Sequence, residues 1–189
     1  MRFSLLIFIN FFSVIVKTNF LIIILGFYSL AYSNDMNICE KIAKIVEKKY
    51  KLPEGILVSI SLAETGKKNK SGSISSWPWS LNHDGKSLFF NSKSNAYEYI
   101  IKNLNDKSKN IDVGCMQVSI KWHSDKFDSI EAMLDPYQNI DYAAKFLIDL
   151  KNNHGSWKKA IKYYHSSTAK LNKKYYSKVE NLWKNNIHQ

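Results

Sequence analysis

Glu64 is the residue of this chain best placed to do chemistry. It closes the apolar run Ile56-Leu57-Val58-Ser59-Ile60-Ser61-Leu62-Ala63, four residues after Ile60 and seven after Leu57, so a helix puts its carboxylate on the apolar face. Desolvation there disfavours the charged form. Gly66 suits a left-handed C′ cap, which places Glu64 in the last turn, where the negative end of the helix dipole acts in the same direction. An acid that keeps its proton near neutral pH can act as a general acid. The plainer reading is a carboxylate at the edge of an amphipathic stripe with its head in water.

Gln117 is the second such residue. It sits among apolar neighbours in Ile111–Val118, so its amide either satisfies nearby backbone or, beside a cleft, binds a ligand's amide and hydroxyl groups. Asp84 and Asp112 are the carboxylates that could join Glu64 in a hydrolytic pair, although Asp84 has a sufficient role in a turn and Asp112 in capping backbone. The five histidines lack any His-x-x-x-His spacing, and no metal site is expected.

Several elements must position these groups. Ile38, Ile42, Ile45, Val46 and Lys49 mark a helix running to about Tyr50, and Lys51-Leu52-Pro53-Glu54-Gly55 turns the chain into the Glu64 helix. Residues 67–73 are polar and aperiodic and read as a mobile loop. Trp77–Asn82 and Lys86–Phe90 flank Asp84-Gly85 as a β-hairpin, with Trp77, Trp79 and Leu81 on one side as a packed face or a sugar-stacking surface. Ser94 is the expected cap of a helix carrying Tyr97, Ile100, Ile101 and Leu104. Asp135-Pro136-Tyr137-Gln138 starts a helix with Ile140, Ala143, Ala144, Leu147 and Ile148 inward, and His154-Gly155 ends it. Ser156 caps a helix bearing Trp157, Ala160, Ile161 and Tyr164, and a last helix carries Tyr176, Val179, Leu182 and Trp183.

The 189 residues, 45% hydrophobic, suffice for one globular domain. Residues 1–33 read as an export segment. Arg2 gives a positive start, two apolar runs follow, and Ala31-Tyr32-Ser33 resembles a cleavage site; left uncleaved, the same segment would anchor the domain at the inner membrane. The domain, 34–189, is then exported and periplasmic. Arg2 and Lys17 are the only charges of the first 33 residues, so the remainder keeps 25 of the 27 basic side chains beside all 16 acidic ones, a formal +9. That charge suits an anionic partner, but with Arg2 the only arginine, bidentate recognition of phosphate or guanine is absent and nucleic acid is disfavoured. Cys39 and Cys115 are the only cysteines, free to pair in an oxidising compartment or to remain buried thiols.

Four stretches in order resemble the motifs of soluble lytic transglycosylases: Leu62-Ala63-Glu64-Thr65-Gly66, Gly114-Cys115-Met116-Gln117-Val118, Asp135-Pro136-Tyr137-Gln138-Asn139-Ile140 through Ala143-Ala144-Lys145-Phe146-Leu147, and Tyr163-Tyr164-His165-Ser166-Ser167. The resemblance spans about Cys39 to Ser167. It implies a mainly α (α+β), goose-lysozyme-like domain with a small β-hairpin. The implied activity is cleavage of the β-1,4 bond between N-acetylmuramic acid and N-acetylglucosamine in peptidoglycan, with a 1,6-anhydro product and no cofactor. Glu64 would be the acid and then the base. Thr65, Met116, Gln117 and Tyr164 match positions around the substrate, with Thr65 in place of a common serine and His165-Ser166-Ser167 in place of Asn-Ala-Gly. A branch of the family with a cysteine in its first helix implies the Cys39–Cys115 disulfide. The alternatives are a hydrolysing muramidase and a non-catalytic wall-binding protein.

Overall fold

The fold is that of a computed structural model describing residues 37–68, 72–104 and 110–187, so the export segment expected at 1–33 lies outside the described residues. Helix α1 (Ile38–Tyr50) buries Cys39, Ala43, Val46 and Glu47, a face rotated from the isoleucine stripe, and leaves Ile45 exposed. Glu47 explains the rotation. Helix α2 (Ile56–Thr65) begins in the core at Gly55 with no side chain of its own to cap it, and buried orphan N–H groups need an acceptor. The Glu47 carboxylate supplies one, accepting from the N–H groups of Gly55 at 2.9 Å, Leu57 at 2.7 Å and Val58 at 3.2 Å.

The central helix α2 is not amphipathic: every residue from Ile56 to Ala63 is buried. It lies against α1 and α8 (Ala169–Ile187), with strands β1 (Gly66–Lys68) and β2 (Ile74–Ser76) packed beside it. Ser59 and Ser61 tolerate burial because their hydroxyls donate to the carbonyls of Gly55 and Cys115. Gly66 is not the expected left-handed cap. Its φ of −60° and ψ of 121° carry the chain straight from helix to strand, and glycine is required because a Cβ would sit 2.3 Å from the Leu62 carbonyl oxygen. The polar stretch 67–73, expected as a loop, begins within β1, which pairs antiparallel with β2 immediately after the stretch. Strands of three residues are too short for alternation to show.

The expected hairpin is β3 (Ser80–His83) and β4 (Lys86–Phe89), turned by Asp84 at φ 49° and Gly85 at φ 81°. It belongs to a larger sheet, since β5 (Ile111–Val113) pairs with β3 and β6 (Val118–Ser119) with β5, in the order β4-β3-β5-β6. The register places Leu88, Leu81, Val113 and Val118 in one cross-strand row and Ser87, Asn82, Asp112 and Ser119 in the next. Adjacent rows point to opposite faces. The apolar row packs into the core. Trp79 is buried, and the Trp77 indole N–H donates to the Phe90 carbonyl at 2.7 Å, so these aromatics are packed.

Helix α3 (Lys93–Asn103) is capped by Ser92, which accepts from the Asn95 N–H, rather than by Ser94. Short helices α4 (Ile120–His123) and α5 (Ile130–Met133) lead to α6 (Pro136–His154). Its start is as expected, with Asp135 accepting from the Gln138 N–H, and Gly155 ends it at φ 85°. Ser156 caps α7 (Trp157–His165). The helices touch in a closed circuit, α1 on α2, α2 on α8, α8 on α7, α7 on α6 and α6 on α1. The Cys39–Cys115 disulfide, with Cα atoms 5.7 Å apart, ties α1 to the turn between β5 and β6. This is the mainly α, lysozyme-like organisation that the resemblance implied. Among the described residues no helix is long and apolar enough to cross a membrane.

Candidate active site

A cleft of about 360 Å³ opens between the helices and the sheet. Glu64, Tyr142, Phe146, Tyr164 and His165 come from the helices; Asn82, Ser87, Asp112 and Ser119 come from the sheet; Gln117 and Trp122 come from the segments flanking β6. Glu64 reaches it because α2 ends there, one turn after the last fully enclosed residues.

Burial pushes the Glu64 carboxyl up to about 7. Three neighbours adjust that value: the Tyr175 hydroxyl, donating to Oε1 at 2.6 Å, lowers it, the nearby Lys178 ammonium lowers it, and the Asp112 carboxylate raises it. The helix dipole is less important than the sequence suggests, because the Lys178 ammonium donates to the Ala63 carbonyl and so covers the negative end of α2. Asp112 is itself raised by burial, against a hydrogen bond from Ser119.

Gln117 sits in the left-handed region at φ 47°, uncommon for a residue with a side chain. Its amide holds it there: Nε2 donates to the Gly114 carbonyl at 3.0 Å and the Ser80 carbonyl at 3.2 Å. Backbone satisfaction and a place beside a cleft, alternatives in the sequence, coexist. The Tyr164 hydroxyl donates to the Met116 carbonyl at 2.9 Å, and burial keeps it protonated by raising it well above the usual tyrosine range. Asn139 fixes the same turn, accepting from the Met116 N–H at 2.9 Å and donating to the Val113 and Met133 carbonyls at 3.0 and 2.9 Å. Gly114 must be glycine there, at φ 78° and with a Cβ position 2.7 Å from Asn139 Nδ2.

Glu64, Gln117 and Tyr164 therefore share one cleft. Met116 and Thr65 do not line it: the Met116 side chain is fully buried, and the buried Thr65 hydroxyl donates to the Ser61 carbonyl and accepts from the Trp77 N–H. Tyr175 and Lys178 were not found from the sequence. Tyr175 and Tyr176 lie four and three residues before Val179, so either could have faced inward with it; Tyr175 does, stacked on His165 with centroids 4.4 Å apart. Among the described residues no group of three or more His, Cys, Asp or Glu is arranged to hold a metal ion.

Residues 42–187 match the family described as the transglycosylase SLT domain. The chain belongs to this family. The match extends past the last recognisable motif to the end of α8, so the helix bearing Tyr175 and Lys178 is part of the family domain. Members of the SLT family are lytic transglycosylases that act on the peptidoglycan of the cell wall. No curated protein and no solved structure matches the chain significantly.

Proposed function

We propose that this SLT-family protein is an exported lytic transglycosylase that cleaves the β-1,4 bond between N-acetylmuramic acid and N-acetylglucosamine. The observation that carries this reading is the Glu64 carboxyl at the cleft, raised to about 7 by burial and hydrogen-bonded by Tyr175. A group at that value is substantially protonated at neutral pH and returns readily to the carboxylate, as an acid that later acts as base must. Protonated Glu64 gives its proton to the glycosidic oxygen as the bond to C1 breaks. The resulting carboxylate takes the proton of the muramic acid 6-hydroxyl as that oxygen closes on C1, and the 1,6-anhydro sugar leaves with Glu64 reprotonated. Gln117 and Tyr164, on the same cleft, are assigned to orienting substrate. Met116 and Thr65 are assigned to holding the backbone beneath it, Met116 through its carbonyl and Thr65 through its hydroxyl. Export agrees with the Cys39–Cys115 disulfide, which persists in oxidising compartments, and with residues 1–33 as signal or inner-membrane anchor.

Asp112 favours a second reading. It lines the same cleft and interacts electrostatically with Glu64, whereas Asp84 sits in the hairpin turn, so a hydrolysing muramidase with Asp112 as the second carboxylate is the competitor. Mass analysis of peptidoglycan digested by the purified protein separates the two. Anhydro-muramic ends support the lytic reaction, and reducing muramic ends, heavier by one water, support hydrolysis. Neither product, with retained sedimentation on cell wall, would leave a binding protein.

A further inference from the structure

Helix α1 divides its charges by face. Both of its acids are turned into the fold: Glu47 is buried at the start of α2, and Glu40 Oε1 accepts from the Ser76 N–H at 2.7 Å while Oε2 is buried. What the helix leaves exposed is Lys41, Lys44, Ile45, Lys48 and Lys49. Lys49 is paired with Asp141 at 2.6 Å, whereas among the described residues no acid pairs with Lys41, Lys44 or Lys48. Lys41 and Lys48 stand about one turn before and after Ile45 on the same side of the helix, and Lys44 adjoins it. Ile45, 57% exposed, is thus an aliphatic side chain bracketed by lysines.

That combination suits a surface that layers anionic groups over hydrocarbon. Phosphate headgroups attract the ammonium groups, the lysine stems lie along the apolar boundary, and the isoleucine enters it. A soluble polyanion, or the carboxylates of cell wall, offers the charge without the apolar layer. Sequence order points the same way, since residues 34–37 alone separate α1 from the segment 1–33 expected as signal or inner-membrane anchor. We propose that Lys41, Lys44, Ile45 and Lys48 form a docking face for an anionic phospholipid bilayer. None of the four lines the cleft, so the docking is independent of the chemistry assigned to Glu64.

Full-length protein is mixed with vesicles of phosphatidylcholine alone, or with vesicles in which roughly a third of the lipid is phosphatidylglycerol. Lysine acetylation is then read residue by residue by mass spectrometry. Lys41, Lys44 and Lys48 react several-fold more slowly on the anionic vesicles than on the neutral ones, and high salt removes the difference. Lys102 and Lys159, exposed on α3 and α7, react equally on both. Neutral vesicles carry any contribution of segment 1–33, so the difference reads the basic face alone. The Lys41→Gln, Lys44→Gln, Lys48→Gln protein loses about a hundredfold of the affinity gained from anionic lipid, at about fivefold per lysine. Ile45→Ser weakens binding and leaves its salt dependence, and both variants keep the wild-type urea midpoint because all four side chains are exposed. Equal acetylation on the two kinds of vesicle, or a triple variant that binds like wild type, overturns the docking face. Protection of the three lysines by purified cell wall and not by vesicles overturns it too, assigning the face to wall carboxylates.

Discussion

The Tyr175 hydroxyl donates to Glu64 Oε1 at 2.6 Å, across 111 residues of sequence. The bond stabilises the carboxylate form and so opposes the burial that raises the Glu64 carboxyl to about 7. Tyr175→Phe keeps the ring on His165 and removes only the donor. The Glu64 carboxyl then rises further, and the alkaline limb of the pH profile of peptidoglycan cleavage moves upward. A limb that stays in place would mean that Tyr175 does not tune Glu64.

Glu64 also makes stability depend on pH. Its carboxyl titrates near the ordinary 4.5 in the unfolded chain and at about 7 in the folded one. A group raised on folding contributes fully below the lower value and loses its contribution as pH rises through the upper one. Glu64→Gln is neutral throughout. Around pH 8 it should exceed the wild type in stability by as much as ~2–3 kcal/mol, and the gap should close by pH 4. Urea unfolding at the two pH values measures this; a variant less stable than wild type at pH 8 would refute it.

Much of this site was legible before the fold. Glu64 ends an apolar run, Asp135-Pro136 starts α6 and Asp84-Gly85 turns the hairpin, each through local chemistry that a short window reveals. What could not be read depends on contacts between distant segments. Glu47 looks like one more surface acid until the buried start of α2 is brought to it. Tyr175 differs from Tyr176 only by which side of α8 meets α2. The sheet was half visible, because β5 and β6 have three and two residues and gain their order from β3. Met116 and Thr65 show a different limit: their side chains are buried beneath the cleft, and a motif position near substrate does not reveal whether the side chain or the backbone serves it.

Asn139 should be as sensitive as any core residue although it is polar. Replacing it with leucine leaves the Met116 N–H and the Val113 and Met133 carbonyls without the partners they have now. Each buried group left unsatisfied costs about 1–3 kcal/mol, so Asn139→Leu is expected to lose at least ~3 kcal/mol in urea unfolding, with cleavage falling as the Gln117 turn loosens. Asn139→Asp distinguishes the bonds: it can still accept from Met116 and cannot donate to the carbonyls. Wild-type stability in either variant would contradict this role.

The disulfide connects stability to the site. Cys39 and Cys115 are 76 residues apart, and closing a loop of that length stabilises by ~4–5 kcal/mol in the chain-entropy model. Cys115 also belongs to the site's own framework, since its carbonyl accepts from the Ser61 hydroxyl of α2 and it lies two residues before Gln117. The Cys39→Ala, Cys115→Ala protein should therefore unfold at lower urea by that margin. At a temperature where it is still folded, it should cut peptidoglycan more slowly than wild type, because α1 no longer restrains the Gln117 turn. Equal rates in folded protein would confine the disulfide to stability, and equal urea midpoints would show that the helical circuit holds the domain without it.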